Sequence, residues 1–179
     1  ETAYKWAYLP SHIMAVIPCP MGHTCRPRRA HFATIHRLED SIVPYNISFI
    51  SLGCAKNQVN CEQMMASVQA AGHTIQVQPE GADVVVVNTC GFLQSACEEA
   101  IDNILEMAEL KRAGQVQKIL VTGCMTQRYK QDVLNELPEV DGILGTGSYG
   151  DICAAIDEVM AGSGLRPCHL GNIHTCLLY

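Results

Sequence analysis

Three cysteines occupy equivalent places in this sequence: Cys54 ends "SLGC", Cys90 ends "NTC" and Cys124 ends "VTGC". Each directly follows an apolar run that reads as a strand, at intervals of 36 and then 34 residues. Any one of them would be read as a small buried residue, since free cysteine is among the most buried types. Three in the same topological position, two of them preceded by glycine, point instead to the sulfur. Glycine before a ligand lets the backbone approach a bulky inorganic group closely. Three thiolates with no nearby histidine favour iron and sulfur over zinc. A cubane cluster takes one thiolate on each iron, so three cysteines would leave one iron open to an outside ligand.

The elements that must position these thiols alternate. "YNISFISLG" reads as a first strand. "NQVNCEQMMASVQAAG" reads as a helix with Asn57 as its N-cap and Gly72 as its stop. "HTIQVQ" alternates in polarity, as an edge strand does, and the four valines of "ADVVVVNTC" mark a strand buried on both faces of a parallel sheet. Ser95 and Glu98 have capping-box spacing ahead of a helix whose stripe is Ile101, Ile104, Leu105 and Ala108, with Gly114 as its stop. "VQKILVTGC" is the next strand, followed by a shorter helix around "YKQDVLNEL". "VDGILGTG" is a last strand, and "YGDICAAIDEVMAG" a last helix capped by Ser148. The predicted fold is α/β, a doubly wound, mainly parallel sheet with helices on both faces, flavodoxin- or Rossmann-like. It spans residues 45–162, between an irregular N-terminal extension (1–44) and an irregular tail (163–179). In such sheets ligands sit outside the carboxyl ends of the strands, where all three thiols fall.

Composition narrows the function classes. The 179 residues, 48% hydrophobic and 17% charged, suit one folded domain. The formal net charge is −6, yet the first 48 residues hold five Lys and Arg against three Asp and Glu, so the body is the acidic part. Such a body is a poor nucleic-acid binder, because phosphate contacts need basic residues in excess. No apolar run approaches the ~18 residues that span a bilayer, and no signal peptide is read. The ten cysteines include no pair in C-x-x-C spacing, which excludes zinc ribbons and thioredoxin-type pairs. A domain with its own α/β core also disfavours a secreted disulfide framework, so a reduced, cytoplasmic setting is expected.

"SLGCAKNQVNCEQM", "ADVVVVNTCGFLQSACEEAIDNI" and "KILVTGCMTQRY", in this order and spacing, resemble the N-terminal domain of the radical-SAM methylthiotransferases. "NTCGF" before a long acidic helix is closest to the branch that modifies an aspartate of a small-subunit ribosomal protein. The branch acting on tRNA adenosine tends to carry an arginine soon after its "NTC", where this chain has Gly91, Phe92 and Leu93. The resemblance implies an auxiliary [4Fe-4S] cluster on Cys54, Cys90 and Cys124, whose open iron carries the sulfur to be transferred. It also implies a second cluster that cleaves S-adenosylmethionine, since an unactivated C–H bond requires a cofactor radical. The C-x-x-x-C-x-x-C motif for that second cluster is absent from these residues, as is the family's C-terminal barrel. The chain alone is therefore expected to be inactive, as a fragment, a truncated gene product or half of a split system. The radical domain would then act in cis or in trans.

Other readings stand beside this one: a non-catalytic Fe–S or sulfur-carrier module, or a cluster-free flavodoxin-like binding domain. "GTGSYG", Gly145 to Gly150, matches a dinucleotide fingerprint but comes at the last strand instead of the first, so a turn is the plainer reading. Cys61, Cys97 and Cys153 are read as core, with a spare thiol handling sulfide as the sharper alternative for the first two. Cys19, Cys25, His23, His31 and His36, like Cys168, His169, His174 and Cys176, lack zinc-finger spacing. Arg26, Arg28 and Arg29 read as a solvated tail. Lys56, Asn57 and Glu62 match the family pattern beside the first cysteine and could hydrogen-bond around the cluster.

Overall fold

The computed structural model describes residues 43–162, 164 and 166–171. The N-terminal extension up to residue 42, with its cysteines, histidines and arginines, lies outside the described residues, as do His174 and Cys176.

The sheet is built from β1 (Asn46–Ser51), β2 (Thr74–Gln76), β3 (Val84–Thr89), β4 (Lys118–Gly123), β5 (Gly142–Gly145) and β6 (Cys168–His169). Its order is β2-β1-β3-β4-β5-β6, and every pairing is parallel. From β1 the chain steps outward to β2, then returns to build β3 to β6 on the other side. The strand order therefore reverses between β1 and β3, as a doubly wound sheet requires. β2 is at the edge, as its alternating sequence predicts.

The four valines explain the two layers. Val84 and Val86 turn to one face with Ile47, Leu120 and Leu144, under α1 (Ala55–Ala70) and α5 (Ile152–Ala161). Val85 and Val87 turn to the other with Ile119, Val121 and Ile143, under α2 (Gln94–Arg112). All four are fully buried. At about 1.5–3 kcal/mol for each large apolar side chain removed from water, the central strand anchors both layers. Between β4 and β5 the chain forms two short helices, α3 (Cys124–Arg128) and α4 (Lys130–Glu136). Among the described residues no helix is long and apolar enough to cross a membrane.

Several local expectations need correction. Asn57 does not cap α1: Cys54 occupies the N-cap with no side-chain hydrogen bond, and Asn57 lies inside the helix, buried. Ser95 and Glu98 form no capping box. Leu93 is the N-cap of α2, and Glu98 accepts a hydrogen bond from Gln94 at 3.1 Å. The buried stripe of α2 is Ala100, Ile104, Met107 and Ala108, leaving Ile101 and Leu105 partly exposed. Ser148 precedes a 3₁₀ turn (Tyr149–Asp151) and caps it through its carbonyl, which accepts from the Asp151 N–H at 2.8 Å. Gly72 and Gly114 do follow the ends of α1 and α2, each at positive φ. The stretch after residue 162, expected to be irregular, contributes β6 beside β5. α3 has no counterpart in the sequence reading.

Candidate metal centre

Cys54 follows β1, Cys90 follows β3 and Cys124 follows β4, so the three thiols stand at the carboxyl ends of adjacent strands, flanking the point where the strand order reverses. They lie in different surroundings. Cys54 is exposed, Cys124 half-buried and Cys90 buried.

Three glycines draw the loops together. Gly53 has φ +98°, and a Cβ there would stand 2.6 Å from the Cβ of Cys90 and 3.3 Å from its sulfur. Gly123, at φ +107°, would drive a Cβ to 2.2 Å from the carbonyl oxygen of Thr89. Gly91 is also confined: a Cβ there would lie 2.8 Å from the Met125 nitrogen. Gly53 and Gly123 make room for the neighbouring cysteine loop. From the sequence Gly91 is read only as part of "NTCGF"; its packing against the loop of Cys124 is a finding of the structure.

The thiols differ in acidity. The Cys54 thiol is pulled below its ordinary value chiefly by the N–H groups of Asn57 and Lys56, at the start of α1. A helix N-terminus favours negative charge, and a thiolate is the form that binds metal. Burial pushes the Cys124 thiol up, and the neighbouring Cys90 and Cys54 sulfurs add to it. That repulsion is what three convergent anions would feel before a cation joins them.

Asn57 sits among these groups. Its Nδ2 donates to the carbonyls of Leu52 at 3.2 Å and Thr89 at 3.0 Å. The thiols of Cys54 and Cys124 donate to its Oδ1 at 4.0 and 3.7 Å. Asn88, fully buried, donates to the main-chain carbonyl of Asn57 at 2.7 Å. A polar residue at the end of four buried valines carries its own signal, since a buried amide must find partners. Lys56 is exposed, and Glu62 faces away along the helix to accept from Gln58.

An open cleft of about 840 Å³ adjoins two of the three thiols, lined by Gly53, Cys54, Cys90 and the exposed Phe92 and Leu93. Among the described residues no group of three His, Cys, Asp or Glu side chains is gathered tightly enough to hold a metal ion as it stands. The donor set fits a larger body: thiolate sulfur alone, from three loops that side-chain-free glycines allow to converge, beside an open volume. That is the chemistry of iron–sulfur ligation, in which each iron takes its own cysteine.

Of the other candidates among the described residues, only Cys97 touches the site. Cys61 is buried inside α1, where burial raises its thiol. Cys97 donates to the carbonyl of Cys90 at 3.7 Å, and Cys153 to that of Ser67 at 3.7 Å. His169, in β6, pairs with Glu158 at 3.0 Å. In "GTGSYG" the first glycine is crowded by Gln127, whose Oε1 lies 2.2 Å from where a Cβ would be, so a side chain fills that loop.

The fold and site define a class: three-layer α/β domains with three thiols at the carboxyl ends of adjacent strands beside the switch point. The profile of "Uncharacterized protein family UPF0004" matches residues 46–145, and the chain belongs to this family. It is 49% identical over 117 residues to the ribosomal protein uS12 methylthiotransferase RimO of Syntrophomonas wolfei, covering 65% of this chain and 27% of that protein. The RimO of Lachnoclostridium phytofermentans is 50% identical over 116 residues, covering 65% and 26%. That of Koribacter versatilis is 41% identical over 124 residues, covering 69% and 23%. The match is to the N-terminal domain of RimO-type ribosomal protein methylthiotransferases. The chain spans about a quarter of the length of these relatives.

Proposed function

We propose that this chain is the cluster-holding domain of an enzyme that transfers a methylthio group to an aspartate of ribosomal protein uS12, using S-adenosylmethionine. The observation that carries the reading is the convergence of Cys54, Cys90 and Cys124 at the strand ends around the switch point. Its likeness to the uS12 methylthiotransferases of S. wolfei and L. phytofermentans supports the substrate class.

In this reading Cys54, Cys90 and Cys124 hold a [4Fe-4S] cluster, which when bound supplies one iron free of protein ligands for the sulfur to be transferred. The chain's own residues do the rest. The N–H groups of Lys56 and Asn57 favour the Cys54 thiolate. Gly53, Gly91 and Gly123 hold the loops at close approach. Phe92 and Leu93, both exposed, form an apolar lip on the cleft. S-adenosylmethionine and a second cluster belong to a radical domain, in cis or in trans, because this sequence holds no C-x-x-x-C-x-x-C. The acidic balance of the body supports a protein substrate over direct nucleic-acid contact. A ribosomal substrate and reduced thiols together fit the cytoplasm.

The test is a chimera in which residues 46–145 replace the matching segment of the S. wolfei relative, assayed for methylthiolation of uS12 by mass spectrometry. Modification that disappears with Cys54→Ala supports the reading. A chimera that is folded and loaded with iron yet leaves uS12 unmodified, while methylthiolating tRNA adenosine, would replace it with the tRNA branch.

A further inference from the structure

Resting on the reading that Cys54, Cys90 and Cys124 hold a cluster, we propose that Asn57 is the positioning residue of that site. One buried amide ties the loops of all three cysteines and turns only its oxygen toward two of the sulfurs.

Asn57 is 1% exposed. Its Nδ2 reaches the carbonyl of Leu52, two residues before Cys54, at 3.2 Å, and that of Thr89, immediately before Cys90, at 3.0 Å. Its Oδ1 accepts from Cys124 at 3.7 Å and from Cys54 at 4.0 Å. From the far side Asn88 fixes the main chain of Asn57 with a 2.7 Å hydrogen bond. A Cβ on Gly53 would come within 3.2 Å of Nδ2, so the glycine also leaves space for the amide.

The orientation of this amide is forced. Oxygen and nitrogen of an asparagine are told apart by their partners, and two carbonyl oxygens on one side can only face the NH₂ group. Oδ1 is left to the sulfurs. While these are thiols they donate weakly to it. Once they are thiolates they have nothing to donate, and the negative end of the amide dipole remains beside them. A negative dipole end near a cluster disfavours an added electron, so Asn57 holds the reduction potential low. Its two N–H bonds meanwhile keep the loops in place, which favours retention of iron.

The test compares the wild-type chain with Asn57→Leu, which keeps the branched shape and removes both ends of the dipole. Asn57→Ser, whose short hydroxyl cannot reach the sulfurs, serves if the first variant does not fold. In the anaerobically reconstituted chains the variant should lose iron to a chelator about tenfold faster. The cluster it retains should titrate at a higher potential. Wild-type release rate and wild-type potential in a folded variant would overturn the proposal, because a purely structural side chain would leave the potential unmoved. The second arm uses the reduced apo chain and phenylarsine oxide, which bridges two nearby thiols, with the bridged pair mapped by peptide mass. Bridging of Cys54 to Cys124 should weaken about tenfold in the variant, and equal bridging would overturn the positioning role. A wild-type chain that takes up no iron would sink the cluster reading alone, and the arsenical arm would still decide on Asn57.

Discussion

Gly53 touches Cys90 so closely that a single added carbon would lie 2.6 Å from the Cβ of Cys90. Because Gly53 precedes Cys54, this contact couples the loop of the first thiol to that of the second.

Gly53→Ala should therefore do two things at once. Positive φ and a clash with Cys90 lower stability by about 2 kcal/mol in urea unfolding. Iron uptake falls as the loops separate. Gly72→Ala is the control: it also has positive φ, but nothing lies within 4 Å, so it should cost about 1 kcal/mol and leave iron unchanged.

The rotated stripe of α2 makes a stability prediction. Ile104 is fully buried, and Ile104→Ala should cost about 2–5 kcal/mol. Ile101 is 38% exposed, and Ile101→Ala should cost less than about 1 kcal/mol. Equal losses in denaturant titrations would mean that the helix is seated differently.

Thiol reactivity in the apo chain should follow the local fields. A lowered pKa leaves more of Cys54 as thiolate at neutral pH, so iodoacetamide followed by peptide mapping should find it modified ahead of Cys124 and Cys61. The raised thiols of Cys124 and Cys61 gain thiolate only as pH climbs further, so the gap should narrow toward alkaline pH. Preferential labelling of Cys61 would contradict this.

At the opposite end of the sheet, Asp141 joins β4 to α2. It accepts from the Ile119 N–H at 2.9 Å and pairs with Lys118 at 3.2 Å and with Lys111. Asp141→Ala strands a main-chain donor at the start of β4 and should cost about 1–3 kcal/mol without changing iron uptake.

The winding of the sheet was legible because four consecutive valines have few alternatives to a central parallel strand, and because a glycine follows both α1 and α2. The thiol triad was legible from its repeated place after a strand. The caps were not, because tertiary partners overrode local chemistry: the carbonyls of Leu52 and Thr89 draw Asn57 inward, and Gln94 engages Glu98. The α2 stripe was misjudged by favouring large Ile and Leu, whereas the packed face takes Ala100 and Met107. β6 has two residues, too few for any periodicity, and exists through its pairing with β5.

Whether Cys54, Cys90 and Cys124 hold a cluster is tested by iron and acid-labile sulfide per chain after anaerobic reconstitution. About four of each are expected, as a [4Fe-4S] group requires, lost when the three cysteines are changed together to alanine. A folded chain that binds no iron, or a triple variant that binds as much as the wild type, would contradict the cluster.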